Sequence, residues 1–280
     1  MTHKPQVGIM QGRLSNQIGD SIQSFPGIHW KEEFGQASNL GFNTIEWIFD
    51  SHKNPLFHSD AISEIISIKK KYDVEINSVC ADYFMGHKLF NESENEISKN
   101  LKTFEILVTN CAKLGISIIE IPLVDSSSLK TNNGKIQFKN NLEKIFPLIE
   151  HLDIDIVLET DLPPNDFRDF LLEINHPQVF ANFDSGNSAS LEYLPNEELK
   201  ILKKWIKNIH IKDRKHSGLT VPLGTGDTDF ELVFATLREI DYYDDLIIQG
   251  ARIPGKTYSP KDTCLTYLRF VDEYLNKYYK

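Results

Sequence analysis

The sequence predicts one (β/α)8 barrel over residues 1–280. Short apolar runs rich in Val and Ile recur about every 25 to 40 residues, and the longer segments between them place apolar side chains at helical spacing. Alternation of this kind builds βαβ units. Eight of them without a low-complexity linker favour a closed parallel barrel over an open doubly wound sheet. The phosphate-binding fingerprints of open sheets are also missing: no Gly-x-Gly-x-x-Gly follows the first apolar run, and no Walker-type Lys appears.

Taken in order, the first strand is expected at 7–10, followed by a helix at 30–39 that stops at Gly41. The next strand, 44–48, leads to a helix at 60–72, and the third, 76–81, to a long helix at 94–114 closed by Lys113, Leu114 and Gly115. A basic residue and then Gly is the usual chemistry of a helix stop. Strands at 117–122, 154–159, 179–183, 208–211 and 246–249 complete the eight. Their helices are expected at 138–151, 165–174, 196–205, 230–240 and 261–277.

The formal net charge of −10 repels a long polyanion, so a nucleic-acid partner is not expected. Small anions remain compatible, because Arg13, Arg214 and Arg252 can act locally against a field screened within about 10 Å. Cys80, Cys111 and Cys264 are widely spaced and form no Cys-x-x-Cys pair, which points to a reduced, cytoplasmic setting. The polar start of the chain lacks a signal-peptide core, and no run approaches the roughly 20 apolar residues of a membrane span.

In such barrels chemistry sits at the carboxyl ends of the strands. The last four strands place Glu159, Asp184, His210 and Gln249 there. Each alone is compatible with a cap, a turn or a core histidine. Together they offer three oxygen donors and one imidazole, a donor set for one divalent ion such as Mn²⁺, Mg²⁺, Co²⁺ or Zn²⁺.

Other polar groups fall near the mouth. Arg13 and Arg252 follow adjacent strands and can share one carboxylate or phosphate; two surface arginines are the alternative. Glu46 at the end of the second strand is a candidate acid or base, or a salt-bridge partner. Asp82 and His87 after the third strand are candidates for substrate hydroxyls. Lys212, two residues after His210, shares its face and is a candidate proton carrier with a pKa lowered by burial.

The chain resembles the xylose isomerase-like barrels, which include sugar and sugar-phosphate isomerases and epimerases. The resemblance covers nearly the whole chain and rests on Met10-Gln11-Gly12-Arg13-Leu14, Glu159, Asp184-Ser185-Gly186-Asn187, His210-Ile211-Lys212-Asp213 and Pro222-Leu223-Gly224-Thr225-Gly226. It implies a metal held by Glu159, Asp184 and His210, and proton transfer beside a carbonyl with Glu159 as base. Where the family has a second glutamate this chain has Gln249, whose amide can coordinate a cation but cannot act as a base. Where many members have a histidine it has Asn187, suited to a substrate hydroxyl.

The expected function is therefore a metal-dependent isomerase or epimerase of a sugar or sugar phosphate, and a homo-oligomer is compatible with it. A dehydratase or lyase can use the same site, because it begins with the same proton removal. A non-catalytic sugar-binding barrel is a further alternative, with Gln249 marking a lost activity. An endonuclease IV-like nuclease needs more histidine ligands and a basic groove.

Overall fold

The computed structural model describes residues 4–19, 23–253 and 259–280. The barrel strands are β1 (Val7–Met10), β2 (Ile45–Ile48), β3 (Ser78–Cys80), β4 (Ile118–Leu123), β5 (Asp155–Thr160), β6 (Val179–Asp184), β7 (Ile206–Ile211) and β8 (Leu246–Ile248). They are parallel and follow one another in chain order around a closed barrel, β8 pairing with β1 through Val7 opposite Leu246. Every expected strand overlaps an observed one, and no end differs by more than two residues.

The helices form because their apolar residues line one face. In Glu94–Leu114, Ile97, Leu101, Phe104, Leu107, Val108, Cys111 and Leu114 are buried, a spacing of three and four that points one stripe at the barrel. Ser93 caps its start by accepting from the Glu96 amide, and Gly115 at φ 73° ends it. The last helix, Pro260–Tyr278, begins with a reciprocal capping box between Ser259 and Asp262.

One expected helix is two. The segment expected at 138–151 starts earlier, as Asn132–Leu142 capped by Thr131, and resumes as Phe146–Leu152. Pro147 explains the break: it has no N–H for the helix ladder, and its ring excludes the preceding turn. The early start is rich in Asn and Lys and carries little apolar periodicity.

A short antiparallel ribbon, Asp213–Arg214 with Thr220–Val221, stands on the mouth after β7 and was not expected. Asp213 organises it: Oδ2 accepts from the amides of Gly224 (2.9 Å) and Gly226 (2.8 Å), and Oδ1 from that of Thr228 (3.1 Å). A Cβ on Gly226 would lie 1.9 Å from Asp213 Oδ1, so the carboxylate's close approach requires glycine there. Among the described residues no helix is long and apolar enough to cross a membrane.

Candidate active site

Side chains two apart on a strand share a face, and the inward rows of β2 to β7 carry polar residues. On β7 these are Asn208 and His210, with Lys212 continuing the row just past the strand. Glu46, Ser78, Glu120, Glu159, Asn182 and Asp184 come from the five preceding strands, so the interior beneath the mouth is a polar layer. Polar groups removed from water need partners.

His210 is inaccessible and bridges the layer. Its Nε2 donates to Glu46 Oε1 at 2.6 Å, and Glu46 is itself held by Ser78 Oγ (2.5 Å) and Asn208 Nδ2 (2.9 Å) through its other oxygen. The opposite ring nitrogen, Nδ1, faces Glu159 Oε2 at 3.1 Å. Burial opposes a charge on His210, yet Glu46 and Glu159 outweigh it and lift its pKa well above 6.5.

Glu159 accepts from Asn182 Nδ2 (2.7 Å) and Asn187 Nδ2 (2.5 Å). Burial works against its charge, but His210, Lys212 and Asn182 prevail and hold the carboxyl below 4.5, in its ionised form. Asp184 uses Oδ1 to cap the following turn, accepting from the amides of Gly186 (2.9 Å) and Asn187 (2.8 Å). Its Oδ2 pairs with Lys212 Nζ at 3.1 Å and lies 3.9 Å from His210 Nδ1. Burial raises the Asp184 pKa, and Lys212 offsets part of that rise.

Above this layer opens a cavity of about 410 Å³. Its charged lining is Arg13, Lys212 and Arg214 against Asp82, Asp125 and Glu159, with the amides of Gln23, Asn187 and Gln249 between them. Arg214 is aimed by its bonds to Asn187 Oδ1 (2.8 Å) and the Gly218 carbonyl (2.8 and 3.1 Å). Gln23 ties one wall together: it donates to Asp82 Oδ2 (2.8 Å) and accepts from Arg13 Nη2 (3.1 Å) and Gln249 Nε2 (2.9 Å). The Gln249 carbonyl oxygen is buried and accepts no hydrogen bond.

The structure thus brings Glu159 and His210 into contact, sets Asp184 beside them, and places Gln249, Asn187, Lys212, Asp82 and Arg13 on the wall of one cavity. Three residues stand elsewhere. Arg252 does not line this cavity; it donates to the carbonyls of Ser15 and Gly12 (both 2.7 Å) and so straps the loop that carries Arg13. His87 stacks on Tyr83, with ring centroids 3.9 Å apart, outside the cavity lining. Glu46 lies under His210, away from the cavity.

Lys212 also departs from expectation in its charge. Burial lowers its pKa, but Asp184 and Glu159 more than reverse this and hold it as an ammonium. Sequence reasoning missed Glu120, Asn182, Asn208 and Gln23. For Glu120 a signal was present, an acidic residue in the middle of the apolar run Ile118, Ile119, Ile121.

The description of the family model that matches residues 34–260 is a xylose isomerase-like TIM barrel. L-ribulose-5-phosphate 3-epimerase UlaE of Salmonella paratyphi C is 24% identical over 250 residues, 84% of this chain and 88% of that protein. The apo structure of 3-keto-D-glucoside 4-epimerase, YcjR, from E. coli superposes with TM-score 0.73 at 19% identity, covering 95% of this chain and all of that one. The IolI protein, solved with a bound zinc atom, superposes with TM-score 0.78 at 16% identity, over 98% of this chain and 99% of the other.

Proposed function

We propose that this chain, which belongs to the xylose isomerase-like TIM barrel family, is a divalent-metal-dependent isomerase or epimerase of a sugar or sugar phosphate. The observation that carries the reading is an ionised, nearly buried Glu159 at the base of a cavity whose walls offer both hydrogen-bond donors and acceptors. Relatives whose names give a sugar-phosphate 3-epimerase and a keto-glucoside 4-epimerase support the substrate class.

The donor chemistry fits a divalent ion. Glu46, Glu120, Glu159 and Asp184 gather around His210 and Lys212 in one buried layer, where burial drives the Glu120 pKa well above 4.5 and a bound cation would favour its ionised form. Carboxylate oxygens and an imidazole nitrogen suit Mn²⁺, Mg²⁺, Co²⁺ or Zn²⁺. Glu159, Asp184, His210 and the unpartnered oxygen of Gln249 are the groups that would hold it. Such an ion polarises a carbonyl and so acidifies the neighbouring C–H.

Glu159 is the base that takes that proton, because it is charged and faces the cavity. Lys212 sets a fixed positive charge toward the oxygen on which negative charge develops. Asn187, aimed by Arg214, and Asp82, aimed by Gln23, bind hydroxyls. Arg13 and Arg214 receive an acidic end of the substrate.

One observation favours elimination as a second reading. Across the cavity from Glu159 stands an amide, Gln249, and not a second base. Incubation with ketoses, aldoses and their phosphates with Mn²⁺ in D₂O separates the two. Deuterated isomers or epimers support the proposal, whereas loss of water from the product supports elimination. A tightly held sugar with no C–H exchange points to a binding protein.

A further inference from the structure

We propose that Glu120 on β4 supplies the carboxylate that Gln249 withholds on β8, so that the metal is held by Glu120, Glu159 and His210. This rests on the metal-dependent reading above and changes which side chains make the site.

Four observations carry it. Glu120 is inaccessible, and its oxygens have no hydrogen-bond partner other than the weak Cys80 thiol. The neighbouring thiol of Cys80, a weak donor, is directed at Asp82 Oδ1 (3.2 Å). One ligand atom each from Glu120, Glu159 and His210 lie within 4.8 Å of one another. Donors about 2.1 Å from a shared ion are separated by up to about 4.2 Å, so small side-chain shifts complete the site.

His210 is prepared for this role. With Nε2 committed to Glu46 at 2.6 Å, Nδ1 is the nitrogen turned toward Glu159. A carboxylate behind an imidazole fixes the tautomer and raises ligand basicity in metal centres. Asp184 is the more engaged oxygen donor: both of its oxygens already have partners, two backbone amides and the Lys212 ammonium.

The charge accounting is consistent. A site with a carboxylate on β8 would not need one on β4. Here the β8 position is neutral, and a carboxyl whose only partner is the weak Cys80 thiol stands across the barrel, two strands from β6 and adjacent to β5. The ion would then sit on the β4–β5 side beside Glu159, which lines the cavity, with Gln249 left to bind substrate.

The test is Mn²⁺ binding to full-length protein freed of metal by chelation, followed by calorimetry and by the EPR signal of free Mn²⁺. The wild type is expected to take one ion per chain. Glu120→Gln, nearly isosteric, should weaken Mn²⁺ by about 100-fold or more, since loss of even an outer partner costs 10- to 100-fold. Gln249→Ala should change it by less than about threefold. The double variant Glu120→Gln with Gln249→Glu should recover most of the affinity.

If Glu120→Gln binds Mn²⁺ as the wild type does, the assignment is overturned while the metal-dependent reading stands. If the wild type binds no divalent ion, that reading falls and takes the assignment with it. Should Glu120→Gln fail to fold, Glu120→Asp keeps the charge on a shorter arm. An unchanged Co²⁺ absorption spectrum in that variant would also overturn the assignment.

Discussion

His210 Nε2 and Glu46 Oε1 lie 2.6 Å apart at the inaccessible centre of the barrel, and this pair determines which ring nitrogen faces Glu159. Glu46 has no route to substrate, so its role is to position the imidazole. Glu46→Gln keeps the shape and loses the charge; Mn²⁺ affinity should fall about 10- to 100-fold with the fold intact. Glu46→Ala should cost about 3–5 kcal/mol of stability, because it leaves a buried charge unpaired. Calorimetry and urea unfolding measure the two. Unaltered metal affinity in Glu46→Gln would show that the pair is structural only.

The two arginines after adjacent strands have different work. Arg214→Ala should raise KM for a sugar phosphate about tenfold or more with a smaller effect on kcat, as loss of uniform binding does. Arg252→Ala should leave KM nearly unchanged and lower stability by about 1–3 kcal/mol, because the Gly12 and Ser15 carbonyls lose their donor. Steady-state kinetics on a phosphorylated and an unphosphorylated substrate, with urea unfolding, distinguish them. The reverse pattern would return Arg252 to the site.

The ribbon over the mouth depends on one contact. Gly226→Ala would press a methyl group onto Asp213 Oδ1 and dislodge the carboxylate from three amides. A loss of about 1–3 kcal/mol is expected, along with a higher KM, because Arg214 and Thr220 of the same ribbon line the cavity. A Gly226→Ala protein with native Tm and KM would contradict this.

Much of this arrangement can be read from the chain. Strands announce themselves as apolar runs, and the polar residue closing a run in a barrel is a site candidate, so Glu159, Asp184 and His210 are visible. Glu120 sits inside its run, where an acidic residue is easily passed over; yet a fully buried strand has no place for a charge unless something pairs with it. Direction is harder. Sequence adjacency puts Arg13 and Arg252 beside each other, but only the fold shows that one faces the cavity and the other its backbone. The charge of Lys212 is likewise set by Asp184, a partner from another strand.

Stability should respond to pH through Glu198, whose carboxyl is turned inward onto the Ser188 hydroxyl and is pushed by burial from 4.5 up to about 7. A folded-state pKa above the unfolded one means that the folded chain binds the extra proton between these values. Stability is then greatest below about pH 4.5 for this group and falls as pH rises through 7. At about 1.4 kcal/mol per pKa unit the loss is at most ~3.5 kcal/mol, an upper limit because part of the side chain reaches solvent. Glu198→Gln should remove this dependence. Parallel urea unfolding of both proteins between pH 5 and 8 would contradict it.

The central claim is that Glu159 removes a proton beside a carbonyl of a sugar held in this cavity. Solvent deuterium exchange into a substrate C–H, followed by NMR with Mn²⁺ present, reads that step directly. The wild type should incorporate deuterium at one carbon next to the carbonyl, and Glu159→Gln should lose at least about 100-fold in exchange rate, the span of general base catalysis. Exchange at the native rate in a folded, substrate-binding Glu159→Gln protein would contradict the claim.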